Sequence, residues 1–566
     1  MEHKLHPHLN QLERSATLAI NERSAEMAAA GQTIYRFGLG QSPFPVPYSI
    51  VSALQENAYR KDYLPVEGLY ELRQAVAEYH KETDKIDIAA QGVLISPGSK
   101  ELIFTLQLAL TGTTLIPTPC WVSYMPQGKI VQRESKFIQT CFEDNWRLLP
   151  EQLEFVVKQT SGPYLLILNY PGNPDGGTYK AAELEALANV ARENNVLILS
   201  DEIYGRLHHD GNHVSIARYY PEGTIVSSGL SKWCGAGGWR LGHFAFSKEL
   251  YWLKDTMAFI ASETYSCVAA PIQHAAVAAY NDKETVDEYL FHSRRILKVF
   301  GNYCADTLAP ADVNILSPSG AFYLFPDFTA YTDNLNAKEI HDSPTLCAKL
   351  LNETGVALLP GKVFGRPKEE LNARMAYVNF DGGDALSTSR EIANDKDLTI
   401  ADLGDIEKGA SVADSYFAVK AVTAALLKKN IIPIILGASQ DGLYAQYRAY
   451  DGVASMINMV NIDTRFDLGD AEAAITNKSY VGRIIVDKPY NLFNYSVLGY
   501  QSFFNPPQEI ALMEALYFDA HRLGAVTADI KDVEPIFRNA DLVTLDISAI
   551  KSAELGSYNK ENPNGF

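Results

Sequence analysis

A lysine followed by glycines and an arginine is the part of this sequence best suited to covalent chemistry. Lys232 lies in SSGLSKWCGAGGWRLG, at the end of an apolar run, and Arg240 follows eight residues later. Glycine-rich turns let backbone N–H groups approach a phosphate, and an arginine can bind the same phosphate through two hydrogen bonds. A lysine held near cations in a partly dry site loses its proton more readily, which favours Schiff-base formation. GAGGWR lacks the third glycine of a dinucleotide-binding fingerprint, so a dinucleotide site is disfavoured. The stretch instead predicts a Schiff-base lysine beside a phosphate site.

Two further polar residues follow apolar runs and are suited to binding a pyridine ring. Asp201, in LSDEIYGR, can pair with a protonated ring nitrogen, so that the ring can accept electrons. Asn173, in NYPGNPDGG, can donate a hydrogen bond to a ring hydroxyl oxygen. Each also has a plainer interpretation, since aspartate often caps a helix and Asn-Pro often forms a turn. Taken singly, each residue fits the plainer interpretation better.

The hydrophobic pattern between about 90 and 250 indicates which elements must position these residues. Short apolar runs alternate there with amphipathic stretches such as the helix predicted over 181–195. The runs are GVLIS (92–96), TTLIP (113–117), YLLILNYP (164–171), VLILSDE (196–202) and TIVSSGLSK (224–232). Nearly continuous apolar strands separated by helices are typical of a parallel sheet with helices on both faces. Ligands of such sheets bind at the carboxyl ends of the strands, where several of these runs end in polar residues.

The pattern changes after residue 290 and again near residue 386. A helix over 293–307 and the strand candidates GAFYLFPDF (320–328) and ARMAYVNF (373–380) indicate a smaller α+β domain. We predict a polar linker at 387–399 and a separate α/β segment at 400–566. The strand candidates of that segment are IIPIILG (431–437), MVNID (459–463), RIIVD (483–487) and LVTLDIS (542–548).

The composition is that of a soluble globular protein. Of the 566 residues, 47% are hydrophobic and 21% charged, and the formal net charge is −19. This charge disfavours nucleic acids and anionic membranes as partners, because both are polyanions. No apolar run approaches the ~20 residues that a membrane helix requires, and the N-terminus is unlike a secretory signal. The six cysteines form no CxxC pair, so we expect a cytoplasmic protein without a zinc site or disulfide framework.

Three motifs together resemble the class I/II aminotransferases of pyridoxal-phosphate (PLP) fold type I. Their order and spacing are those of that family. The motifs are Lys232 with Arg240, Asp201 with Tyr204, and Asn169-x-Pro171-x-Asn173-Pro174. The resemblance covers about residues 10–386 and implies an aminotransferase module over 1–386. It implies a large, mostly parallel sheet domain at 48–290 and a small α+β domain formed by 1–47 and 291–386.

The resemblance also implies a cofactor and a reaction. PLP would be held on Lys232 as a Schiff base, and an amino group would pass from an L-amino acid to a 2-oxo acid in a ping-pong sequence. Lys232 would move the proton, Asp201 would keep the ring nitrogen protonated, and Tyr204 would hydrogen-bond the ring hydroxyl oxygen. A PLP-dependent lyase on the same scaffold would keep Lys232 and Asp201, so it stays open as the alternative.

Further segments are similar to family motifs and imply more contacts. The implied cofactor ligands are Ser99 and Lys100 of PGSKE, Trp121 of PTPCWVSY, Asn173, and Tyr63 of DYLPVEGLYELR. Tyr63 would reach the phosphate of a partner subunit, which implies a homodimer. The implied binding residues for the substrate carboxylate are Gly40, Asn173 and Arg374. The family often has serine where this chain has Gly229, so either Ser228 or Ser231 is expected at the phosphate.

The segment 400–566 resembles part of the ureohydrolase fold of arginase, agmatinase and formimidoylglutamase. The similar stretches are ADLGDI (401–406), ILGASQDG (435–442), VNIDTRFDLGD (460–470) and LVTLDISAI (542–550). That family holds two manganese ions. The corresponding positions retain Asp463, Asp467 and Asp546 but have Gln440, Arg465 and Ser548 in place of the other ligands.

Losing half of the ligands should abolish a two-metal site, so we expect no metal there. The resemblance thus implies a partial, non-catalytic ureohydrolase-like domain, with a metal-dependent amidinohydrolase as the alternative. The segment is also shorter than the family domain, so we expect unpaired apolar edges on its sheet.

Overall fold

The computed structural model describes residues 6–11, 16–394 and 403–550, apart from residues 408, 430, 438, 454, 455 and 471. The chain divides into two compact units, Met1–Leu398 and Thr399–Phe566. The helices of the first unit are α1 (Ala16–Ala29), α2 (Tyr48–Asn57), α3 (Tyr70–Tyr79), α4 (Ser99–Ala109), α5 (Tyr124–Ile130), α6 (Pro150–Gln159), α7 (Ala181–Glu193), α8 (Tyr251–Ser262), α9 (Ala270–Asn281), α10 (Lys283–Leu308), α11 (Thr332–Asn336), α12 (Ser343–Thr354) and α13 (Gly382–Asn394). Its strands are β1 (Tyr35–Arg36), β2 (Val93–Ser96), β3 (Thr113–Thr118), β4 (Ser135–Gln139), β5 (Tyr164–Asn169), β6 (Val196–Asp201), β7 (Thr224–Gly229), β8 (Gly242–Phe246), β9 (Tyr323–Leu324), β10 (Val356–Ala357), β11 (Leu359–Pro360) and β12 (Ala373–Ala376).

A seven-stranded sheet with the order β2-β8-β7-β6-β5-β3-β4 forms the centre of the first unit. Strand β8 pairs antiparallel with both β2 and β7, and the other pairs are parallel. The predicted α/β class is therefore confirmed, with a mixed sheet. Every residue of β2, β7 and β8 is buried, which explains why these strands read as continuous apolar runs.

Two small sheets lie in the part of the unit for which we predicted an α+β domain. Strands β11, β12 and β9 form an antiparallel sheet, and β1 pairs with β10 in parallel. This arrangement places Tyr323, in β9, opposite Ala376 of β12. Arg374 lies in the same strand as Ala376, so the sheet brings Tyr323 and Arg374 to one region.

Helix α13 covers much of the stretch that we predicted as a linker. It runs through residues 387–394, and its residues Leu386 and Ser389 are buried. The Oγ of Ser389 lies 2.9 Å from Nδ1 of His292 in α10. The linker prediction was wrong for 387–394, because this polar stretch continues helix α13, with Ser389 buried.

The second unit contains a parallel four-stranded sheet. Its described helices are α14 (Val412–Leu427), α15 (Gly442–Ala449), α16 (Tyr480–Val486), α17 (Pro507–Ala515), α18 (Leu523–Ala528) and α19 (Glu534–Arg538). Its strands are β13 (Ile457–Ile462), β14 (Leu492–Tyr500), β15 (Asp519–Arg522) and β16 (Leu542–Leu545), in the order β15-β14-β13-β16. Strand β16 is at one end of the described sheet, and its residues Val543 and Leu545 are exposed.

Two strand predictions for this unit were wrong. Residues 431–437 form no strand, and Ile432, Ile434 and Leu436 are exposed, with Leu436 at 90%. Pro433 lacks the N–H that a central strand requires, and the stretch pairs with no strand in the described part of the chain. Residues 483–486 belong to helix α16, because Tyr480, Val481 and Ile484 together bury one helical face.

Candidate active site

The candidate site begins where three neighbouring strands of the large sheet end. Asn169 is the last residue of β5 and Asp201 the last of β6, and the two pair in register. Asp201 in turn pairs with Ser227 of β7, five residues before Lys232. Because the carboxyl ends of parallel strands meet at one edge, residues distant in sequence come together there.

The loop after β5 is tied to this edge through Asn169. Its Nδ2 donates to the backbone oxygen of Asp201 at 2.8 Å. Its Oδ1 accepts a 2.9 Å hydrogen bond from the backbone N–H of Asn173. The predicted ligand Asn173 is therefore held beside the end of β6.

Asp201 is a buried carboxylate with two hydroxyl donors. Tyr124 donates to its Oδ2 at 2.6 Å, and Ser227 donates to its Oδ1 at 3.3 Å. Burial raises the pKa of Asp201 to about 6, although both hydroxyls oppose the rise. A buried carboxylate at this pKa is suited to pairing with a cationic ring nitrogen.

Lys232 lies just beyond β7 and is partly buried. Its Nζ donates to the backbone oxygen of Gly40 at 3.1 Å. The same atom lies 5.6 Å from the ring centre of Tyr204, one of the predicted site residues. Lys232 and Tyr204 are therefore close enough to serve one ligand.

A group of cations surrounds the start of helix α4. Burial, and then the charges of Arg240 and Lys232, lower the pKa of Lys100. Ser99 and Lys100 form the first turn of α4, where backbone N–H groups point outward. A cationic cluster at a helix N-terminus is suited to binding a phosphate.

The glycines of this region let its backbone segments approach closely. A Cβ atom on Gly98, which has φ +96°, would lie 2.5 Å from Nη2 of Arg240. A Cβ atom on Gly242 would lie 2.2 Å from the backbone nitrogen of Ser99. Side chains at these positions would collide with Arg240 and with the backbone at the start of α4. The predicted stacking residue Trp121 lies nearby, with its ring centre 5.0 Å from Nζ of Lys100.

Arg374 is a buried cation held by neutral groups. Its Nη1 donates to Oδ1 of Asn173 at 3.0 Å, and its Nη2 donates to the backbone oxygen of Gly38 at 2.6 Å. Its Nε is buried and has no hydrogen-bond partner within the described residues. Burial lowers the pKa of Arg374. A buried guanidinium with an unused N–H is suited to binding a carboxylate.

Three further predicted site residues differ in exposure. Tyr63 is 92% exposed on its own chain. Ser228 is buried in β7 opposite His243, and Ser231 is half-buried next to Lys232. That one of these two serines binds the phosphate stays a prediction. Gly40 is in the site, where a Cβ atom would lie 2.1 Å from the hydroxyl of Tyr323.

Sequence reasoning missed three residues of the site. Tyr124 and Ser227 both donate to Asp201, and the hydroxyl of Tyr323 lies 2.8 Å from that of Tyr204. Tyr124 belongs to the PTPCWVSY stretch that pointed to Trp121, so its position there was an available signal. Ser227 lies at the carboxyl end of a predicted strand, which is a second such signal.

The family of the first unit follows from comparison with known proteins. Residues 32–378 match the family Aminotransferase class I and II. The chain belongs to this aminotransferase family. It is 32% identical over 388 residues to the aspartate aminotransferase of Bacillus subtilis, a match that covers 66% of this chain and 94% of the relative.

A second sequence relative and a solved structure support the same family assignment. The asparagine–oxo-acid transaminase of Streptococcus mutans is 31% identical over 386 residues, covering 66% of this chain and 95% of the relative. The structure of Thermus thermophilus aspartate aminotransferase with maleate matches with a TM-score of 0.61 and 25% identity. That match covers 69% of this chain and 98% of the other. The predicted PLP-dependent transaminase activity and fold type I architecture of the first unit are confirmed.

The residues of this aminotransferase fit the PLP that its family uses. The cations near the start of α4 suit the phosphate, and glycine at position 98 lets the Arg240 guanidinium approach the helix start closely. Lys232 supplies the amine for a Schiff base, and Asp201 supplies a carboxylate for the ring nitrogen. PLP, when bound, supplies an electron sink that stabilises negative charge at the substrate Cα.

In the second unit, the three retained aspartates lie near one another. Asp463 follows β13 and Asp546 follows the adjacent β16. Burial and then Asp546 raise the pKa of Asp463, and burial and then Asp463 raise that of Asp467 well above its ordinary value. Within the described ranges, no group of three or more His, Cys, Asp or Glu residues could hold a metal ion.

The replacing residues hold other contacts in this region. Gln440 donates to Oδ1 of Asn461 at 2.9 Å. Arg465 donates through Nη1 to the backbone oxygen of Phe504 at 2.8 Å, and its charge lowers the pKa of Asp467 in part. Ser548 donates its backbone N–H to Asp546 at 2.6 Å. Across the described part of both units, no helix is long and apolar enough to cross a membrane.

Proposed function

We propose that the site at the carboxyl edge of the large sheet transfers the amino group of an L-amino acid to a 2-oxo acid, with aspartate as the first donor to test. The observation that carries the proposal is that three groups lie in one site. They are the amine of Lys232, the buried carboxylate of Asp201 and the buried guanidinium of Arg374. Aspartate is chosen because relatives of this chain are named aspartate aminotransferases.

The residue roles in this proposal follow from their positions. Lys232 would hold the cofactor through its Nζ, which lies beside Gly40 and the ring of Tyr204, and would carry a proton to and from the substrate Cα. Asp201 keeps the ring nitrogen protonated, and Tyr124 orients its carboxylate. Trp121 covers the ring face. Asn173 and Tyr204 donate to the ring hydroxyl oxygen.

Binding of the phosphate and of the substrate uses different cations. Arg240, Lys100 and the N–H groups of Ser99 and its neighbours hold the phosphate, with Ser228 or Ser231 as a further donor. Arg374 binds the substrate carboxylate, with Gly40 and Asn173 alongside. Separate cations for phosphate and carboxylate fix the direction in which the substrate lies across the ring.

The active unit in this proposal is a cytoplasmic homodimer. Tyr63 is almost fully exposed on its own subunit, so its hydroxyl is available to the phosphate site of a partner. Neighbouring aromatic residues, Tyr48 and Tyr59, are also exposed. Tyrosine is enriched at protein interfaces, so these exposed side chains support a dimer.

We propose that the second unit is a ureohydrolase-like segment without metal catalysis. What supports this proposal is that Asp463 and Asp546 follow the adjacent parallel strands β13 and β16. Gln440 and Arg465, in place of metal ligands, make other contacts. Measurable manganese binding by the full-length protein that is lost in Asp463→Asn would favour the amidinohydrolase instead.

The deciding experiment is an absorbance spectrum of the purified protein and of Lys232→Ala. A yellow cofactor band that bleaches on addition of aspartate, with a borohydride adduct mapped to Lys232, is the expected result. Lys248→Ala, which removes an exposed lysine, is the matched control. Colourless protein that takes up no PLP would refute the proposal. Release of ammonia and pyruvate from a three-carbon amino acid with a leaving group on Cβ, rather than amino transfer to a 2-oxo acid, would favour the lyase.

A further inference from the structure

Tyr323 is a buried hydroxyl at the site that has no role in the scheme above. Its hydroxyl lies 2.8 Å from that of Tyr204. A second acceptor within its reach is the backbone oxygen of Gly40, 3.4 Å away, which also accepts from Nζ of Lys232. One side chain from the small sheet therefore reaches both a predicted cofactor ligand and the surroundings of the lysine.

We propose that Tyr323 is a positioning residue that strengthens the hydrogen bond from Tyr204 to the cofactor. The proposal rests on the proposed function, in which Tyr204 donates to the ring hydroxyl oxygen. The hydroxyl of Tyr204 has one proton, so while it donates to the cofactor its oxygen can only accept from Tyr323. Tyr323 then donates its own single proton to Tyr204 and not to Gly40. A hydroxyl that accepts a hydrogen bond is a better donor, because the two bonds polarise each other.

Burial makes this pairing obligatory. Tyr204 is 2% exposed and Tyr323 is 1% exposed, so neither hydroxyl can exchange its partner for bulk water without a rearrangement. Burial also raises the pKa of Tyr204 well above its ordinary value. Tyr204 therefore stays protonated and keeps its role as a donor across the physiological pH range.

The surroundings of Tyr323 hold its hydroxyl in place. A Cβ atom on residue 40 would lie 2.1 Å from this hydroxyl, so glycine at that position is what admits the tyrosine. The guanidinium of Arg374 lies 4.8 Å from the centre of the Tyr323 ring. Tyr323 is thus fixed between the proposed carboxylate-binding arginine and Tyr204.

The test is a pH titration of the absorbance of bound PLP. A donor to the ring oxygen favours the deprotonated cofactor, in which that oxygen is more negative. Tyr323→Phe should therefore raise the midpoint, by about 0.1 to 0.7 pH units for a 10–30% weaker charge-assisted hydrogen bond. Tyr289→Phe removes a buried hydroxyl elsewhere and should leave the midpoint unchanged.

A double-mutant cycle separates this role from a general effect on packing. In a Tyr204→Phe background the midpoint should already be raised, and adding Tyr323→Phe should shift it no further. An equal shift in both backgrounds, or none in either, would overturn the proposal. Because the wild-type adduct on Lys232 is measured first, its absence would overturn the proposed function as well. A normal wild-type adduct with an unshifted Tyr323→Phe titration would overturn only the role of Tyr323.

Discussion

The hydroxyl of Tyr124 donates a 2.6 Å hydrogen bond to Oδ2 of Asp201, and both residues are buried. Tyr124 begins α5, and its ring meets that of Trp121 edge to face at 5.2 Å. One short segment therefore supports both the residue proposed to cover the cofactor ring and the carboxylate proposed to pair with its nitrogen. The position of that carboxylate depends on a side chain 77 residues away in sequence.

Asp201→Asn should stabilise the protein without cofactor at neutral pH. Burial raises the pKa of Asp201 to about 6, so the folded protein binds its proton more tightly than the unfolded chain does. Stability from this group is therefore greatest below about pH 4 and falls as the pH rises to about 6. The loss amounts to about 3 kcal/mol, and asparagine does not incur it.

Thermal unfolding of the PLP-free proteins at pH 4.5 and pH 7.5 measures this effect. The melting temperature of Asp201→Asn relative to wild type should be higher at pH 7.5 than at pH 4.5. A difference that is the same at both pH values would show that Asp201 does not titrate in this range. The variant should still lose transaminase activity, because asparagine cannot keep the ring nitrogen protonated.

Arg374→Gln should lower kcat/KM for amino-acid substrates by about 10²- to 10³-fold, because a buried cation would no longer meet the substrate carboxylate. Steady-state kinetics with aspartate would measure the loss. Arg390→Gln is the control, since Arg390 forms an exposed ion pair with Glu288 at 3.0 Å. An equal loss in both variants would argue against a carboxylate site at Arg374.

Tyr63→Phe should weaken PLP binding only if its hydroxyl reaches a partner subunit. Losing one hydrogen bond to a phosphate should raise the dissociation constant of PLP by about 10- to 100-fold. The measurement is PLP titration into the cofactor-free protein, with its mass followed by light scattering. Tyr59→Phe, at a residue 74% exposed, is the matched control. If Tyr63→Phe binds PLP as tightly as wild type does, or if the protein is a monomer in solution, the role of Tyr63 is refuted.

Ending the chain at residue 398 should preserve transaminase activity to within about twofold. The chain divides at Leu398 and Thr399, and relatives that match 66% of this chain are matched over 94–95% of their own length. The first unit therefore contains what those enzymes use.

The same truncation should reduce aggregation, since the second unit exposes Ile432, Ile434 and Leu436 on one stretch. Activity per mole of bound PLP and light scattering on warming are the two measurements. A truncated chain that binds no PLP would show that the second unit is needed for the fold of the first.

The α/β fold class of the first unit and the motifs of its site could be predicted from the sequence. The apolar runs that became β2, β3, β5, β6 and β7 are buried on both faces, and burial of that kind leaves a continuous hydrophobic pattern. Lys232 with Arg240, and Asp201 with Tyr204, lie within short segments of fixed spacing. Such local features are legible because their geometry depends on neighbours in the chain.

Contacts between side chains that are distant in sequence depend on the tertiary structure and could not be predicted. Tyr204 meets Tyr323 across 119 residues, and Arg374 meets Asn173 across 201 residues. Nothing in the local pattern of GAFYLFPDF distinguishes Tyr323 from a core aromatic residue. Residues 431–437 have the composition of a strand but form none, because a strand also needs a neighbour and a full set of N–H groups. The local pattern predicts strands, helices and short motifs, and long-range packing determines which of their side chains come into contact.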